Sequence, residues 1–199
     1  MSTTDDLLST IGRDDDPATM ARLHARLEES RDVDVAYRVV DSPLGDLLVA
    51  TTERGVVRVG FESVGHDAVL DELGRDLSPR VLRAPRRLDD AARQLAEYFG
   101  GERERFDLRL DTRLAHGFRL EVVEHLREIG YGETASYAQV AELAGRPRAI
   151  RAVGTACARN PLPVVLPCHR VVRSDGTPGQ YAGGPAAKRY LLDLESAGA

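Results

Sequence analysis

The hydrophobic pattern of this chain, a mix of strand and helix periods from residue 36, turns predominantly helical after Asp111, and that change restricts the folds open to it. From residue 36 it runs as short β-rich segments broken by glycine and proline. These are YRVV at 37–40, a turn at 41–45, DLLVATT at 46–52, a turn at 53–55 and VVRVGF at 56–61. Such runs predict an antiparallel meander. Helices are expected over 66–77, with Val69, Leu70, Leu73 and Leu77 on one face, and over 87–99, stopped by Gly100 and Gly101. Short strands are expected at 80–83 and 106–110. This half reads as an α+β scaffold with no nucleophile, ligand cluster or phosphate loop, and its expected job is structural. Residues 1–35 hold nine acids against four arginines and predict a lightly docked helix from Pro17 to Glu29, without chemistry of its own.

Beyond Asp111 the apolar residues fall at helical spacing. Phe118, Val122, Leu126 and Ile129 predict a helix over 116–129. Ser136 caps a second helix to Ala144, which Gly145 stops, and Pro147 opens a third over 148–158. This pair fits a helix-turn-helix and a packing αα-hairpin equally well. Arg148, Arg151 and Thr155 recur at i, i+3 and i+7 on the third helix, and Ala152, Gly154, Ala156 and Ala158 keep it thin. Gly154 costs about 1 kcal/mol relative to alanine. It suggests a tight approach, either to another helix or to a groove, and Arg151 is best placed to reach into DNA.

The densest chemistry lies in an apolar run from Asn160 to Val172, interrupted by Pro161, Pro163 and Pro167 and carrying Cys168, His169 and Arg170. Proline before the cysteine stiffens the backbone and forbids helix. A buried thiol is inert unless a neighbouring imidazole or cation lowers its pKa. Cys168 taken alone reads as a small core residue. A glycine-rich rim follows at 174–184, and Pro185 opens a last helix to Glu195 with Leu191, Leu192 and Leu194 expected inside. On spacing alone Glu195, one turn past Leu191, reads as a solvated C-terminal acid.

Charge separates the halves. Residues 1–110 carry 16 Lys and Arg against 23 Asp and Glu, whereas residues 111–199 carry 11 against 9. Around the cysteine, from 146 to 189, eight bases (Arg146, Arg148, Arg151, Arg159, Arg170, Arg173, Lys188 and Arg189) face one acid, Asp175. A local basic face matters more to phosphate binding than the chain's net −5. No run approaches the ~18 apolar residues of a membrane helix, and the acidic N-terminus is not that of a signal peptide. Two cysteines make no disulfide framework, which places the chain in a reducing cytoplasm. No Cys/His cluster has zinc-ligand spacing, so no metal site is expected.

Taken together, Tyr131-Gly-Glu-Thr134, Ser136-Tyr137, Arg151-Ala-Val-Gly154, Asn160-Pro161, Pro167-Cys-His-Arg-Val171, Gly179, Tyr181-Ala-Gly-Gly184 and Glu195 resemble the O6-alkylguanine-DNA alkyltransferases. The match is dense from Phe118 to Glu195 and looser before it, where Ser42-Pro-Leu-Gly45 is the most telling feature. The resemblance implies an α+β fold with a ribonuclease-H-like α/β domain over 36–110 and a mainly helical, helix-turn-helix DNA-binding domain over 111–199, while the acidic, partly helical extension over 1–35 matches nothing in the family. It implies a monomer that binds double-stranded DNA containing O6-alkylguanine through the minor groove, with no cofactor. The lesion would be rotated out of the stack, with Arg151 filling the gap and Arg148, Ala152, Gly154, Thr155 and Arg159 on the DNA face. Cys168 would attack the alkyl carbon, His169 would take the thiol proton through a water, and Glu195 would orient the imidazole. Tyr137 would donate towards the guanine, and Asn160 would be the hinge. Tyr181, Ala182, Gly183, Gly184 and Val171 would line the pocket. The product would be a thioether that ends the molecule's activity.

Departures from the family pattern at Arg119, Val122-Val123 and Ile129-Gly130 touch packing more than chemistry, and Ala182 stands where some relatives have Ser. Cys157 is expected to pack, a second acceptor role being the lesser reading. The family's multidomain members carry a cysteine-rich zinc sensor, and with no cysteine before Cys157 that role is not expected here. A damage sensor without transfer is the main competitor, but alkyltransferase-like proteins replace the cysteine that this chain keeps. A Cys–His hydrolase would need an oxyanion hole and a deacylating water that nothing in the sequence specifies.

Overall fold

Strand β2 (Leu47–Thr52) begins with four consecutive buried residues because the sheet it centres is covered on both sides. The computed structural model describes residues 33–198, and the helix expected over 17–29 lies outside them. β1 (Val35–Val40), β2 and β3 (Gly55–Phe61) form the expected antiparallel meander. β4 (Val81–Arg83) returns parallel to β1, giving the order β3-β2-β1-β4. Leu48 and Ala50 meet Val69 and Leu73 of α1 (His66–Asp76) in a small core on one face. Leu47 and Val49 belong to the main core, with Leu88 and with Ala91, Leu95 and Tyr98 of α2 (Asp89–Phe99).

The strand expected at 106–110 does not form; only Leu110 bridges to Val56. Its neighbours are spoken for. Gln94 clasps Asp107 by donating to its carbonyl at 3.0 Å and accepting its N–H at 2.8 Å. Further along β3, the Val59 N–H goes to Pro161 O at 2.8 Å, so the C-terminal half occupies that edge.

The helix expected over 116–129 is shorter: α3 spans Phe118–His125, and a 3₁₀ turn follows at Leu126–Glu128. Ile129 leaves the helix in an extended conformation and gives its carbonyl to Arg170 Nη1 at 2.6 Å. The departures from the family pattern are accommodated. Val122 and Val123 are fully buried, Arg119 reaches Leu114 O, and the Gly130 N–H, which a proline would lack, donates to Glu133 at 3.2 Å.

Helix α4 (Tyr137–Leu143) starts on the expected Ser136 cap, a full capping box with Gln139, and Gly145 at φ 67 stops it. α5 spans Ile150–Ala158, two residues shorter than expected at its start. Arg148 therefore sits in the turn before α5 and not on its face, because the N–H of Ala149 closes that turn on Arg146 O. Val153, Ala156 and Cys157 of α5 pack inward with Val122 and Val123 of α3 and Val140 of α4. Strands β5 (Ala135–Ser136) and β6 (Val171–Val172) pair in parallel, and α6 (Gly184–Ala197) closes the chain.

Candidate active site

Three prolines between 160 and 168 leave the chain no helix to form, and Cys168 is delivered by a tight turn instead. Leu166 N–H closes on Leu162 O at 2.7 Å and Cys168 N–H on Leu166 O at 2.8 Å. Val164 sits at φ 71, a left-handed conformation that a β-branched residue adopts only under constraint, at a cost of about 1–3 kcal/mol. The thiol stands on neither an α-helix nor a strand. Cys168–Arg170 is a 3₁₀ turn and pairing starts at Val171, because the Cys168 N–H is already turned back on Leu166.

Asn160, directly after α5, fixes this turn. Its Nδ2 donates to Leu166 O at 2.8 Å and to Cys168 Sγ at 3.2 Å, while Oδ1 accepts the Leu162 N–H at 3.0 Å. The hinge position thus holds the sulfur itself. Cys168 is 0% exposed. Burial pushes its pKa up to about 11 against the opposing pull of Asn160 and Lys188, so the resting group is a neutral thiol that needs a base.

His169 Nε2 lies 2.9 Å from Glu195 Oε1, and His169 Nδ1 has no hydrogen-bond partner among the described residues. A carboxylate only accepts, which assigns the proton to Nε2 and leaves the Nδ1 lone pair able to take one. Burial lowers the imidazole below its usual range although Glu195 pulls it up, so the ring is neutral at rest. Glu195 is 1% exposed, which overturns the solvated reading. One turn of α6 puts it on the same inner face as Leu191, where Arg170 binds it through Nε and Nη2 at 2.8 and 2.9 Å. Tyr98 Oη adds a hydrogen bond of 2.6 Å and the Gly132 N–H one of 3.3 Å. Burial alone would raise this carboxyl, yet the donors from His169 and Arg170 hold it down at about 2.

Two of the eight bases read as a face are interior: Arg170 is spent on Glu195, and Lys188 is fully buried. Arg146, Arg148, Arg151, Arg159, Arg173 and Arg189 remain exposed. Tyr137, Arg151, Gly154, Thr155, Arg159 and Arg173 share a cleft of about 450 Å³, with Ala152 exposed beside it. A Cβ on Gly154 would meet nothing closer than Tyr137 Cε1 at 3.9 Å, so no tight packing within the chain requires glycine there. At Gly179 a Cβ would come within 2.1 Å of Tyr137 Oη, and only glycine fits. Burial, then the neighbouring thiols, lift Tyr137 to about 12, so it keeps its proton.

Tyr181 is buried, edge-on to Phe61 at 5.6 Å and to His169 at 6.2 Å. Val171 is fully buried. Gly183 faces Phe61 of the N-terminal sheet, where a Cβ would come within 2.8 Å of the ring, and Gly184 begins α6. These two are placed against the other half rather than around an opening, since the loop must turn over Phe61 to start the helix. Ala182 lines a separate cleft with Arg58, Asn160 and Pro161. Tyr98, Arg170 and Lys188 went unread as site residues. Among the described residues, no three His, Cys, Asp or Glu side chains gather as a metal site requires.

A buried thiol, a neutral imidazole backed by an ionised carboxylate, and a thin helix with exposed arginines define a cysteine-centred site beside a basic helix. The family model of the 6-O-methylguanine DNA methyltransferase ribonuclease-like domain matches residues 35–112, and that of its DNA binding domain matches 117–197. Methylated-DNA–protein-cysteine methyltransferases of Methanosarcina barkeri and Mycolicibacterium paratuberculosis are each 40% identical, over 80% and 81% of this chain and 96% and 92% of theirs. The crystal structure of Mycobacterium tuberculosis OGT in complex with DNA is 36% identical, with a TM-score of 0.71, covering 82% of this chain and 94% of that one. The chain belongs to the methylated-DNA–protein-cysteine methyltransferase family. Its fold is the mixed α+β pairing expected, a ribonuclease-like sheet domain followed by a helical DNA-binding domain.

Proposed function

We propose that this chain repairs DNA by direct reversal, moving the alkyl group of an O6-alkylguanine irreversibly onto its own Cys168. The observation that carries the assignment is the buried run of contacts from Asn160 to Cys168 and from His169 to Glu195. His169 Nδ1 takes the thiol proton, through a water, and Glu195 stabilises the imidazolium. The sulfur lone pair forms a bond to the alkyl carbon while the C–O6 bond breaks towards the guanine. Tyr137, still protonated at neutral pH, donates to the departing base. The proton lost by the thiol ends on the restored guanine. A thioether does not hydrolyse under these conditions, so one molecule acts once.

The cleft between Tyr137 and α5 is where the extruded nucleotide enters. Arg151 occupies the space that it leaves, with Arg148, Ala152, Gly154, Thr155 and Arg159 against the minor groove. Tyr181 walls the thiol side of the site against His169, whereas Val171 is interior, Ala182 lines a separate cleft and Gly183 and Gly184 turn over Phe61, so none of these four walls the opening. The protein works as a monomer in the cytoplasm, where its two free cysteines stay reduced. No helix among the described residues is long and apolar enough to cross a membrane.

The test is incubation with a duplex bearing one O6-methylguanine, followed by nucleoside analysis of the DNA. Guanine restored in proportion to protein added, and not beyond it, supports the reading. Continued turnover would point to a hydrolase, and binding without restoration to a sensor.

A further inference from the structure

Lysine is almost never fully buried without a partner of opposite charge. Lys188 on α6 is 0% exposed, yet no carboxylate pairs with it among the described residues. Its ammonium donates to Val171 O at 2.5 Å and lies 5.7 Å from the centroid of the Tyr137 ring. Val171 directly follows the turn carrying Cys168, so this bond ties the cation to the reacting segment. The other titratable groups acting on Lys188 are the thiols of Cys168 and Cys157 and the guanidinium of Arg173.

Counting charge in this interior shows what is missing. Arg170 and Glu195 neutralise one another, His169 is neutral at rest, and Lys188, whose pKa burial lowers and the two thiols raise, is when protonated the one surplus positive charge. A thiolate at Cys168 supplies the balancing negative charge. When the thiol proton moves to His169, the imidazolium forms against Glu195 and the thiolate forms in the field of Lys188. Each new charge then meets one of opposite sign in a low-dielectric interior, where such pairs interact far more strongly than in water.

We propose that Lys188 is the fixed countercharge for the Cys168 thiolate, a positioning residue that makes the buried sulfur a nucleophile without itself passing a proton. This rests on Cys168 being the acceptor. It accounts for a charge placed where a hydrocarbon would pack at lower cost. Burial raises the thiol pKa, and against it Asn160 and then Lys188 pull it down, the direction that a countercharge requires. His169, Tyr137, Cys157, Arg173 and Tyr181 face the same space and stay unchanged in the test.

The test compares Lys188→Gln, which keeps a donor for Val171 O and loses the charge, with Lys188→Arg, which keeps the charge. Two rates are read against pH on the Cys168 peptide: alkylation by iodoacetamide, and methyl uptake from a labelled O6-methylguanine duplex. DNA affinity and melting temperature serve as controls. The expected result for Lys188→Gln is a titration moved at least about one unit to higher pH and transfer at neutral pH slowed about tenfold, with DNA affinity unchanged. Lys188→Arg recovers most of the profile. If Lys188→Gln behaves as wild type in both rates, the lysine is merely a hydrogen-bond donor and the inference is wrong. Should Lys188→Gln fail to fold, Lys188→Arg alone decides: a profile moved up to that of a thiol without a countercharge overturns the inference. A wild-type protein that reacts with iodoacetamide at Cys168 but takes no label from DNA refutes the acceptor reading instead.

Discussion

Glu195 binds four groups from three parts of the chain, and its ionisation is tied to the fold as closely as to the chemistry. Its folded pKa, about 2, lies below the ordinary 4.5, so its stabilising contribution is present above pH 4.5 and is lost as pH falls from there towards 2. His169 is also held below its ordinary 6.5, and an unfolded chain takes up that proton more readily. Stability is therefore expected to decline once pH drops below 6.5 and again below 4.5. Thermal melts across this range would show it, and a flat melting temperature from pH 7 to 4 would contradict it. Asn160→Ala strands the Leu162 N–H in the interior and takes one of two donors from the Leu166 carbonyl, which keeps the Cys168 N–H. That costs about 1–3 kcal/mol for the one orphaned group, measurable by urea unfolding. Cys168, His169 and Asn160 were legible from their motif. The burial of Glu195 was also there to be read: Lys188, Leu191 and Glu195 form an i, i+3, i+7 stripe on α6. Charged residues near a C-terminus usually face water, and that tendency masks the stripe.

Helix α5 shows how one element serves two surfaces. Val153, Ala156 and Cys157 anchor it inside, while Arg151, Ala152, Thr155 and Arg159 are left exposed. Arg151→Ala should slow repair of duplex substrate about tenfold or more, yet leave the reaction with free O6-alkylguanine base unchanged, since the free base needs no extrusion. An equal loss on both substrates would show that Arg151 acts on the thiol pocket. Caps and glycine stops made α4 and α5 readable, but the start of α5 slipped because Pro147 opens a turn before the helix begins. The false strand at 106–110 has a different cause. Alternation is present, but Leu110 meets Val56 in parallel at the very start of β3, so the residues before it run beyond that strand, and Gln94 clasps Asp107, contacts distant in sequence and invisible to local pattern.

Across the whole molecule, the N-terminal domain does more than support. Tyr98 on α2 reaches through the main core to bond Glu195, and its hydroxyl lies 3.4 Å from His169 Nε2. No sequence signal marked it, since Tyr98 follows Ala91 and Leu95 at core spacing and only its oxygen is unusual. Tyr98→Phe keeps the packing and removes one hydrogen bond to a charged group, an expected loss of about 1.5–3 kcal/mol in stability. Transfer should slow about tenfold, the effect of roughly 1.4 kcal/mol, with DNA affinity unaltered. Unchanged transfer kinetics would return the domain to a purely structural role. The central claim, that a single cysteine is the terminal acceptor, is tested most directly by mapping label after reaction with duplex carrying one methyl-labelled O6-methylguanine. The account predicts saturation at one methyl per molecule, all of it on the peptide containing Cys168 and none in Cys168→Ala. Label on Cys157, or label persisting in Cys168→Ala, would contradict it.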